Sequence, residues 1–342
     1  VDFCGMKFFK AFVTILKMFS LRKLWLWTLL KISYELSKFK WFNARWGRYI
    51  ALSIEPVNVC NLSCIECPTG TQNLSRAKGK FSLIAFENLL HQKAKDLWYL
   101  NFYFQGEPFL NSDLPKMIQL ASKENIFTSV STNGMLLNSS IIKNILDSGL
   151  HRIIFSVDGT SQEIYEKYRV GGELNVVISQ IKEMVRQKKT FNQFFPIIQI
   201  QFLVFKHNQH QIDQIKKLGK TLGVDSVQIK SAQIYDYNQK EELIPSISKY
   251  SRYQKNQNGE WDIKSSLARH CWRMWHSTVV TQDLDVIPCC YDKDAQFVLG
   301  NLKTNDLSQI ENNNLYSIFR HQIKTRREQI DMCRNCTEGL KL

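Results

Sequence analysis

From about residue 49 onward, short apolar runs rich in β-branched residues alternate with longer stretches whose apolar positions recur every three or four residues. Six runs read as strands: YIALSIEP (49–56), LWYLNFYF (97–104), IFTSVST (126–132), RIIFSVD (152–158), PIIQIQFLVF (196–205) and DSVQIKS (225–231). Between them, SLIAFENLLHQK, LPKMIQLASKE, SSIIKNILDSG, LNVVISQIKEMVRQKK and QHQIDQIKKLGKTLG carry the helical period. Such alternation implies parallel strands joined by right-handed crossovers, hence an α/β fold with an open or partial (βα)6 barrel over residues 49–232. Functional residues of such a fold gather in the loops at the C-terminal ends of the strands. Residues 233–268 are polar and irregular and read as a linker with little core of its own. Within 269–342, STVVTQDLDVIPCCYD predicts a hairpin around Asp283 and Asp285, and LSQIENNNLYSIFRHQIKTRREQI predicts a helix. The C-terminal part is thus a small hairpin-plus-helix module.

Residues 1–48 follow a different pattern. Phe, Leu and Trp are interleaved with Lys or Arg every few positions, and no acid stands between Asp2 and Glu35. This segment carries a net charge of +8 out of +14 for the whole chain, so the remaining 294 residues are only mildly basic. Its uncharged runs fall far short of the roughly 18–20 apolar residues that a membrane span needs, and it lacks the cleavage pattern of a secretory signal. An amphipathic helix with Trp25, Trp27 and Trp41 suits a bilayer interface, where apolar side chains enter the acyl boundary and Lys meets anionic headgroups. The same stripe would equally suit a helix that packs on the barrel exterior or closes its bottom. Nucleic-acid binding is not expected, because the charge is interleaved with bulky aliphatics and the aromatics read as core.

The nine cysteines are clustered: Cys60, Cys64 and Cys67 in one group, Cys271, Cys289, Cys290, Cys333 and Cys336 in another, and Cys4 alone. Close spacings in a long chain favour metal or cluster ligation in a reducing compartment over a disulfide framework. The stretch NVCNLSCIECPTG (58–70) follows the first strand and sets three thiols at C-x3-C-x2-C with no His nearby. Structural zinc is normally closed by four protein ligands. A cubane iron–sulfur cluster tolerates one iron without a protein ligand, and that iron can take a small molecule.

In this loop and beyond it the chain resembles the radical S-adenosylmethionine (radical SAM) superfamily, whose signature is C-x3-C-x2-C after the first strand of a partial (βα)6 TIM-like barrel. The resemblance spans about residues 49–232. It implies a 4Fe-4S cluster on Cys60, Cys64 and Cys67, with S-adenosylmethionine on the open iron. FQGEP gives Glu107 the methionine ammonium; STNG places Ser131 and Asn133 in the turn after the third strand. FSVDG puts Ser156 and Asp158 against the ribose, and YEKYRVGG puts Arg169 against the methionine carboxylate, a planar match that Lys would make poorly. Asn208 is a further polar candidate. One position departs from the family: Glu66 stands where an aromatic usually lies near the adenine. Adenine would then rest on backbone and aliphatic groups, or Glu66 would accept from its exocyclic amine.

The second cysteine group, C-x17-C-C-x42-C-x2-C, resembles the SPASM auxiliary-cluster module in its shortened, four-ligand twitch form. Successive strand residues point to opposite faces, so Cys289 and Cys290 are not expected to ligate together. The shortened modules favour Cys271, Cys289, Cys333 and Cys336 as ligands of an auxiliary 4Fe-4S cluster; zinc on the same sulfurs is the alternative. Asp283-Leu284-Asp285 and Glu311 stand where the module usually has an Asp-Gly turn and a Trp. The implied activity is reductive cleavage of S-adenosylmethionine to a 5′-deoxyadenosyl radical that abstracts hydrogen from a substrate, for a net oxidation assisted by the auxiliary cluster. The implied partners are an electron donor such as flavodoxin or ferredoxin and a small-molecule, lipid-linked or peptide substrate. The expected location is cytoplasmic, peripheral at the inner face of the membrane through residues 1–48. The alternatives are a maturase of ribosomally made peptides and a non-catalytic, membrane-associated iron–sulfur redox protein.

Overall fold

The computed structural model describes residues 12–39, 41–42 and 44–337. Cys4 and the first part of the basic segment lie outside the described residues. All six expected strands form: β1 (Ala51–Ile54), β2 (Tyr99–Phe102), β3 (Phe127–Thr132), β4 (Arg152–Ser156), β5 (Ile197–Val204) and β6 (Ser226–Ser231). They are parallel and adjacent in chain order. Helices Leu83–Lys93, Leu114–Lys123, Ser139–Asp147, Leu174–Thr190 and Ile212–Leu222 form the crossovers. Alternation sorts the strand residues into two faces. Leu52, Ile54, Leu100, Phe102, Val130, Ile153, Phe155, Ile198, Ile200 and Phe202 are buried against the helices. Ser53, Asn101, Ser129, Ser131, Arg152, Ser156, Gln199 and Gln201 point the other way, into the curve of the half-barrel. The sequence shows this as apolar and polar residues alternating within each strand.

The segment 233–268, expected as a linker with little core of its own, packs onto the barrel. It folds into a small antiparallel hairpin, β7 (Tyr253–Lys255) with β8 (Trp261–Ile263). Ile234, Leu243, Ile244 and Tyr253 are buried in one cluster with Leu62, Tyr168 and Phe205 from the barrel's loop end. These apolar residues are spaced without any period, so no pattern announces them. The predicted C-terminal hairpin forms as β9 (Ser277–Val280) and β10 (Asp285–Ile287), followed by β11 (Gly300–Asn301). β9 pairs in parallel with β1, Ala51 opposite Ser277, so the barrel sheet runs on into the C-terminal part as nine strands. The expected long helix after the hairpin breaks into Leu307–Glu311 and Asn314–Arg326, because Asn313 caps the second by accepting from the Tyr316 amide (2.9 Å).

Glu311 locks the C-terminal part to the rest. Its carboxylate is buried against Lys93 Nζ (2.5 Å) and Arg45 Nη1 (3.6 Å), whose side chains are buried too. A Glu at the usual Trp position therefore replaces apolar packing by a three-way ion cluster between the first crossover helix, the N-terminal segment and the C-terminal part.

The N-terminal helix Leu21–Ser37 starts on Ser20, whose Oγ accepts from the Lys23 amide (3.2 Å). Leu26 and Leu30 pack with Ile50 and Trp275, and the Trp275 indole donates to Ser33 Oγ (3.2 Å). Arg22 pairs with Asp96 (2.7 Å) and Lys23 donates to the Asn125 carbonyl (3.3 Å), both just before strand starts. The helix thus closes the bottom of the barrel, opposite the loop end. Its other side is exposed and apolar: Leu21 is 87% accessible, Trp25 62% and, beyond the helix, Trp41 78%. Among the described residues, no helix is long and apolar enough to cross a membrane.

Candidate active site

The loop after β1 wraps back on itself: the Cys67 amide donates to the Cys64 carbonyl (3.1 Å) and the Thr71 amide to the Cys67 carbonyl (2.9 Å). Two glycines permit this. A Cβ at Gly70 would lie 2.6 Å from the Cys64 nitrogen, and one at Gly106 (φ +73°) would lie 2.3 Å from the Val57 carbonyl oxygen, so any side chain would push the cysteine loop away. The result is a cavity of about 130 Å³ at the C-terminal ends of β1 to β4, into which Cys60, Cys64, Cys67, Glu107, Asn133 and Arg169 all face.

Donors surround the sulfurs. The Leu62 amide lies 3.4 Å from Cys60 Sγ, Asn133 Nδ2 3.8 Å from the same atom, and Arg169 Nη1 3.8 Å from Cys64 Sγ. Burial nevertheless pushes the Cys60 thiol up to about 11 and raises Cys64, the latter opposed by the Arg169 charge. Thiols that burial keeps protonated, as at Cys60 and Cys64, are stabilised as thiolates by a cationic centre. Among the described residues no three His, Cys, Asp or Glu side chains gather tightly enough for a single ion. A cubane places each ligand on a separate iron, and three thiols facing one cavity suit such a cluster.

Glu107 is fully buried at the edge of the cavity. It accepts from Thr132 Oγ1 (2.7 Å), the Asn133 amide (2.8 Å) and the Phe109 amide (3.3 Å). Burial lifts its carboxyl to about 6 against the opposing pull of those donors. Ser131 and Ser156 line the same cavity. Asn133 is set by donating to Asn61 Oδ1 (2.8 Å) and accepting from the Met135 amide (2.9 Å).

Two expected contacts take other roles. Asp158 does not face the cavity: one carboxylate oxygen accepts from Arg169 Nε (2.6 Å), the other from the Leu203 amide (2.6 Å). It positions Arg169 and leaves the end of the guanidinium beside Cys64 for an oxyanion. Asn208 is fully buried, accepts from the Phe205 amide (2.8 Å) and donates to the Asp158 and Leu203 carbonyls (both 2.9 Å), so it braces Asp158 from behind. Glu66 is buried and accepts from the Tyr235 amide (2.9 Å) and from Lys240. It ties the cysteine loop to the 233–268 segment, with each carboxylate oxygen already accepting one hydrogen bond from that segment. Strand-end position reveals that these residues sit at the loop face, but not which way they turn.

Cys271, Cys289, Cys333 and Cys336 line one small cavity of otherwise apolar character, with Met274, Phe319 and Arg327. Cys290 is not among its lining residues; it hydrogen-bonds Cys289 and also lies near Tyr103 and Lys230 on the barrel side. Arg327, which no sequence pattern singles out, is almost fully buried, donates to the Ala268 (2.6 Å) and His270 (3.1 Å) carbonyls, and points Nη2 at Cys336 Sγ (3.6 Å). A third cavity of about 400 Å³ lies between the two cysteine groups: Cys67 and Glu66 form one wall, and Tyr291 and Met332, which also line the four-cysteine cavity, form the other. Gln105 is a further unanticipated neighbour, accepting from Thr69 Oγ1 (3.0 Å) beside Cys67.

Comparison with known proteins agrees with this arrangement. The family described as the radical SAM superfamily matches residues 54–218, and an iron-sulfur cluster-binding domain, SPASM, matches residues 271–337. Among curated relatives, the tungsten-containing aldehyde ferredoxin oxidoreductase cofactor-modifying protein of Pyrococcus furiosus is 25% identical over 53% of this chain and 51% of its own. A PqqA peptide cyclase of Granulibacter bethesdensis is 23% identical over 53% and 48%, and the mycofactocin maturase MftC of Mycobacterium ulcerans 22% over 51% and 45%. The matched region thus spans about half the length of these relatives. The fold is similar to that of SuiB from Streptococcus suis bound to S-adenosylmethionine (TM-score 0.61, 14% identity, 84% of this chain and 72% of that one). It is also similar to BtrN in complex with AdoMet and 2-DOIA (TM-score 0.53, 18% identity, 84% and 93%). These families imply a 4Fe-4S cluster, S-adenosylmethionine and auxiliary iron–sulfur binding, which favours iron over zinc on the second cysteine group. The chain belongs to the radical SAM superfamily and carries a C-terminal SPASM iron–sulfur cluster-binding domain.

Proposed function

We propose that this protein is a radical SAM oxidoreductase whose substrate sits between two iron–sulfur clusters and is oxidised there. The observation that carries this reading is the cavity of about 400 Å³ that shares Cys67 with the three-cysteine loop and Tyr291 and Met332 with the four-cysteine cavity. When bound, the cofactors supply the electron that cleaves S-adenosylmethionine, the 5′-deoxyadenosyl radical that takes a hydrogen atom, and an auxiliary acceptor for the electron left on the substrate. Cys60, Cys64 and Cys67 hold the first cluster; Cys271, Cys289, Cys333 and Cys336 hold the second. Glu107 accepts the methionine ammonium, and Arg169, held by Asp158, takes the carboxylate with the free end of its guanidinium. Ser131, Asn133 and Ser156 supply the polar wall, and burial of the site excludes water from the radical. An external donor such as flavodoxin or ferredoxin supplies the electrons.

Peptide modification is the second reading, favoured by the names of the PqqA peptide cyclase and the mycofactocin maturase among the relatives. A deuterium-transfer screen separates the readings: label passing from a sugar or cyclitol alcohol, a lipid-linked glycan or a peptide into 5′-deoxyadenosine identifies the class. Label arising from none of them contradicts hydrogen abstraction from these substrates.

Residues 12–48 give the protein a second surface, which we assign to an anionic bilayer. Phe12, Leu16, Phe19, Leu21, Trp25 and Trp41 are all at least half exposed, and they belong to the segment that carries +8 of the +14 net charge. Because the same helix caps the barrel bottom, this contact leaves the loop end facing away from the bilayer.

A further inference from the structure

The half-barrel interior is cationic and has no acid of its own. Strand residues facing it include Arg152 on β4 and Lys230 on β6, and no Asp or Glu occupies an inward position on β1 to β6. Lys230 lies opposite Leu203 at the C-terminal rim, one alternation above the level of Ser156, which lines the S-adenosylmethionine cavity. Arg152 lies lower, its Nε donating to Ser129 Oγ (3.0 Å) and its Nη2 to the Tyr99 hydroxyl. Arg252 reaches in from the 233–268 segment. Its Nε donates to the Ser231 carbonyl (3.1 Å), while its Nη1 is buried with no hydrogen-bond partner.

Among the described residues, none of these three cations has a carboxylate within ion-pair distance, and Lys230 makes no hydrogen bond or ion pair at all. Their charges act on one another: burial lowers the affinity of Lys230 for its proton, and Arg152, Arg252 and Arg273 lower it further, with Cys290 opposing them. Half-buried cations held together without a paired carboxylate are costly in a protein at rest. An anion that enters the lumen removes that cost, and a planar oxyanion matches two guanidinium forks and an ammonium.

We propose that the barrel lumen beside the S-adenosylmethionine cavity is an oxyanion site, in which Lys230, Arg252 and Arg152 hold a carboxylate or phosphate of the substrate. This rests on the reading of the barrel as a radical SAM active site and narrows its substrate to an anionic one. The neighbouring cavity then takes the reacting part of the molecule, and the lumen fixes its distance from the hydrogen that is removed.

The test uses the full chain, anaerobically reconstituted and saturated with S-adenosylmethionine, titrated calorimetrically with inorganic pyrophosphate and with citrate at constant ionic strength. The expected result is saturable binding of at least one of them, weakened at least tenfold in Lys230→Gln and in Arg252→Gln but kept within threefold in Lys230→Arg, with iron content and circular dichroism unchanged. The stronger of the two probes tells a phosphate substrate from a carboxylate one. Absence of saturable binding, or equal binding by both Gln variants, overturns the proposal; binding that appears only when S-adenosylmethionine is left out also overturns it and would place the anion at Arg169. Formation of 5′-deoxyadenosine by the wild-type protein is measured in parallel, so a failure of the radical SAM reading is seen separately from a failure of anion binding.

Discussion

Replacing Glu107 by Gln removes the buried carboxylate to which we assign the methionine ammonium, while keeping its shape. In the wild-type protein both carboxylate oxygens accept, from Thr132, Asn133 and Phe109. A Gln amide must turn its NH2 toward one of those donors or toward the ligand's ammonium. Truncating one partner of a buried, hydrogen-bonded charge pair costs about 2–5 kcal/mol, which corresponds to a loss of affinity for S-adenosylmethionine of about 30-fold to several thousand-fold. The pH dependence gives a second, independent signature. Burial sets the Glu107 carboxyl at about 6, and only the ionised form attracts the ammonium. The carboxyl is roughly nine-tenths ionised at pH 7 and roughly one-tenth at pH 5, so affinity falls about tenfold as pH falls through 6. The Gln variant has no such step. Equilibrium dialysis of S-adenosylmethionine against the anaerobically reconstituted protein measures both. Binding by Glu107→Gln within threefold of wild type, or the same acid limb in both proteins, would refute the assignment.

Further outcomes follow from the same geometry. Glu311→Gln leaves Lys93 and Arg45 buried without their counter-charge, which costs about 3–5 kcal/mol against a typical total of about 5–15 kcal/mol. Denaturant titration should show this, with partial recovery in Lys93→Met/Glu311→Leu; an unchanged midpoint for the single variant would mean the cluster is not holding the C-terminal part. Cys271→Ser, Cys289→Ser, Cys333→Ser and Cys336→Ser should each lower bound iron by roughly half, whereas Cys290→Ser keeps the full content. Iron assay and Mössbauer spectroscopy decide, and iron loss in Cys290→Ser alone would exchange the two assignments. Trp25→Ser/Trp41→Ser should weaken sedimentation with phosphatidylglycerol vesicles about tenfold, with little binding to phosphatidylcholine in either protein. Equal binding of both proteins would remove the bilayer from the account.

The barrel was legible because each strand carries its own local signal. In β2, for example, Leu100 and Phe102 face the helices and Tyr99 and Asn101 the lumen, an alternation that four residues suffice to display. The cysteine spacings were legible for the same reason, since three sulfurs in one loop have few ways to avoid each other. What the sequence hid is long-range. Pairing of β9 with β1 joins residues more than 200 positions apart through backbone groups common to every amino acid. The buried anchors of 233–268 are apolar residues without a period, whose partners Leu62, Tyr168 and Phe205 lie on three separate barrel loops. Asp158 and Asn208 stand at strand ends, as a cofactor contact would, yet Asp158 turns to hold Arg169 and Asn208 to brace Asp158. Glu66 was visible as an odd residue in the cysteine loop, but its partner Lys240 lies 174 positions away. The cationic lumen could have been read from register alone, since Arg152 and Lys230 fall at inward positions of strands that carry no acid there.

The most direct test of the central claim is to incubate the anaerobically reconstituted protein, with both clusters assembled, with S-adenosylmethionine and dithionite. Production of 5′-deoxyadenosine, abolished when Cys60, Cys64 and Cys67 are replaced by Ala, is the result the account predicts. No 5′-deoxyadenosine from protein that carries its full complement of iron would contradict it.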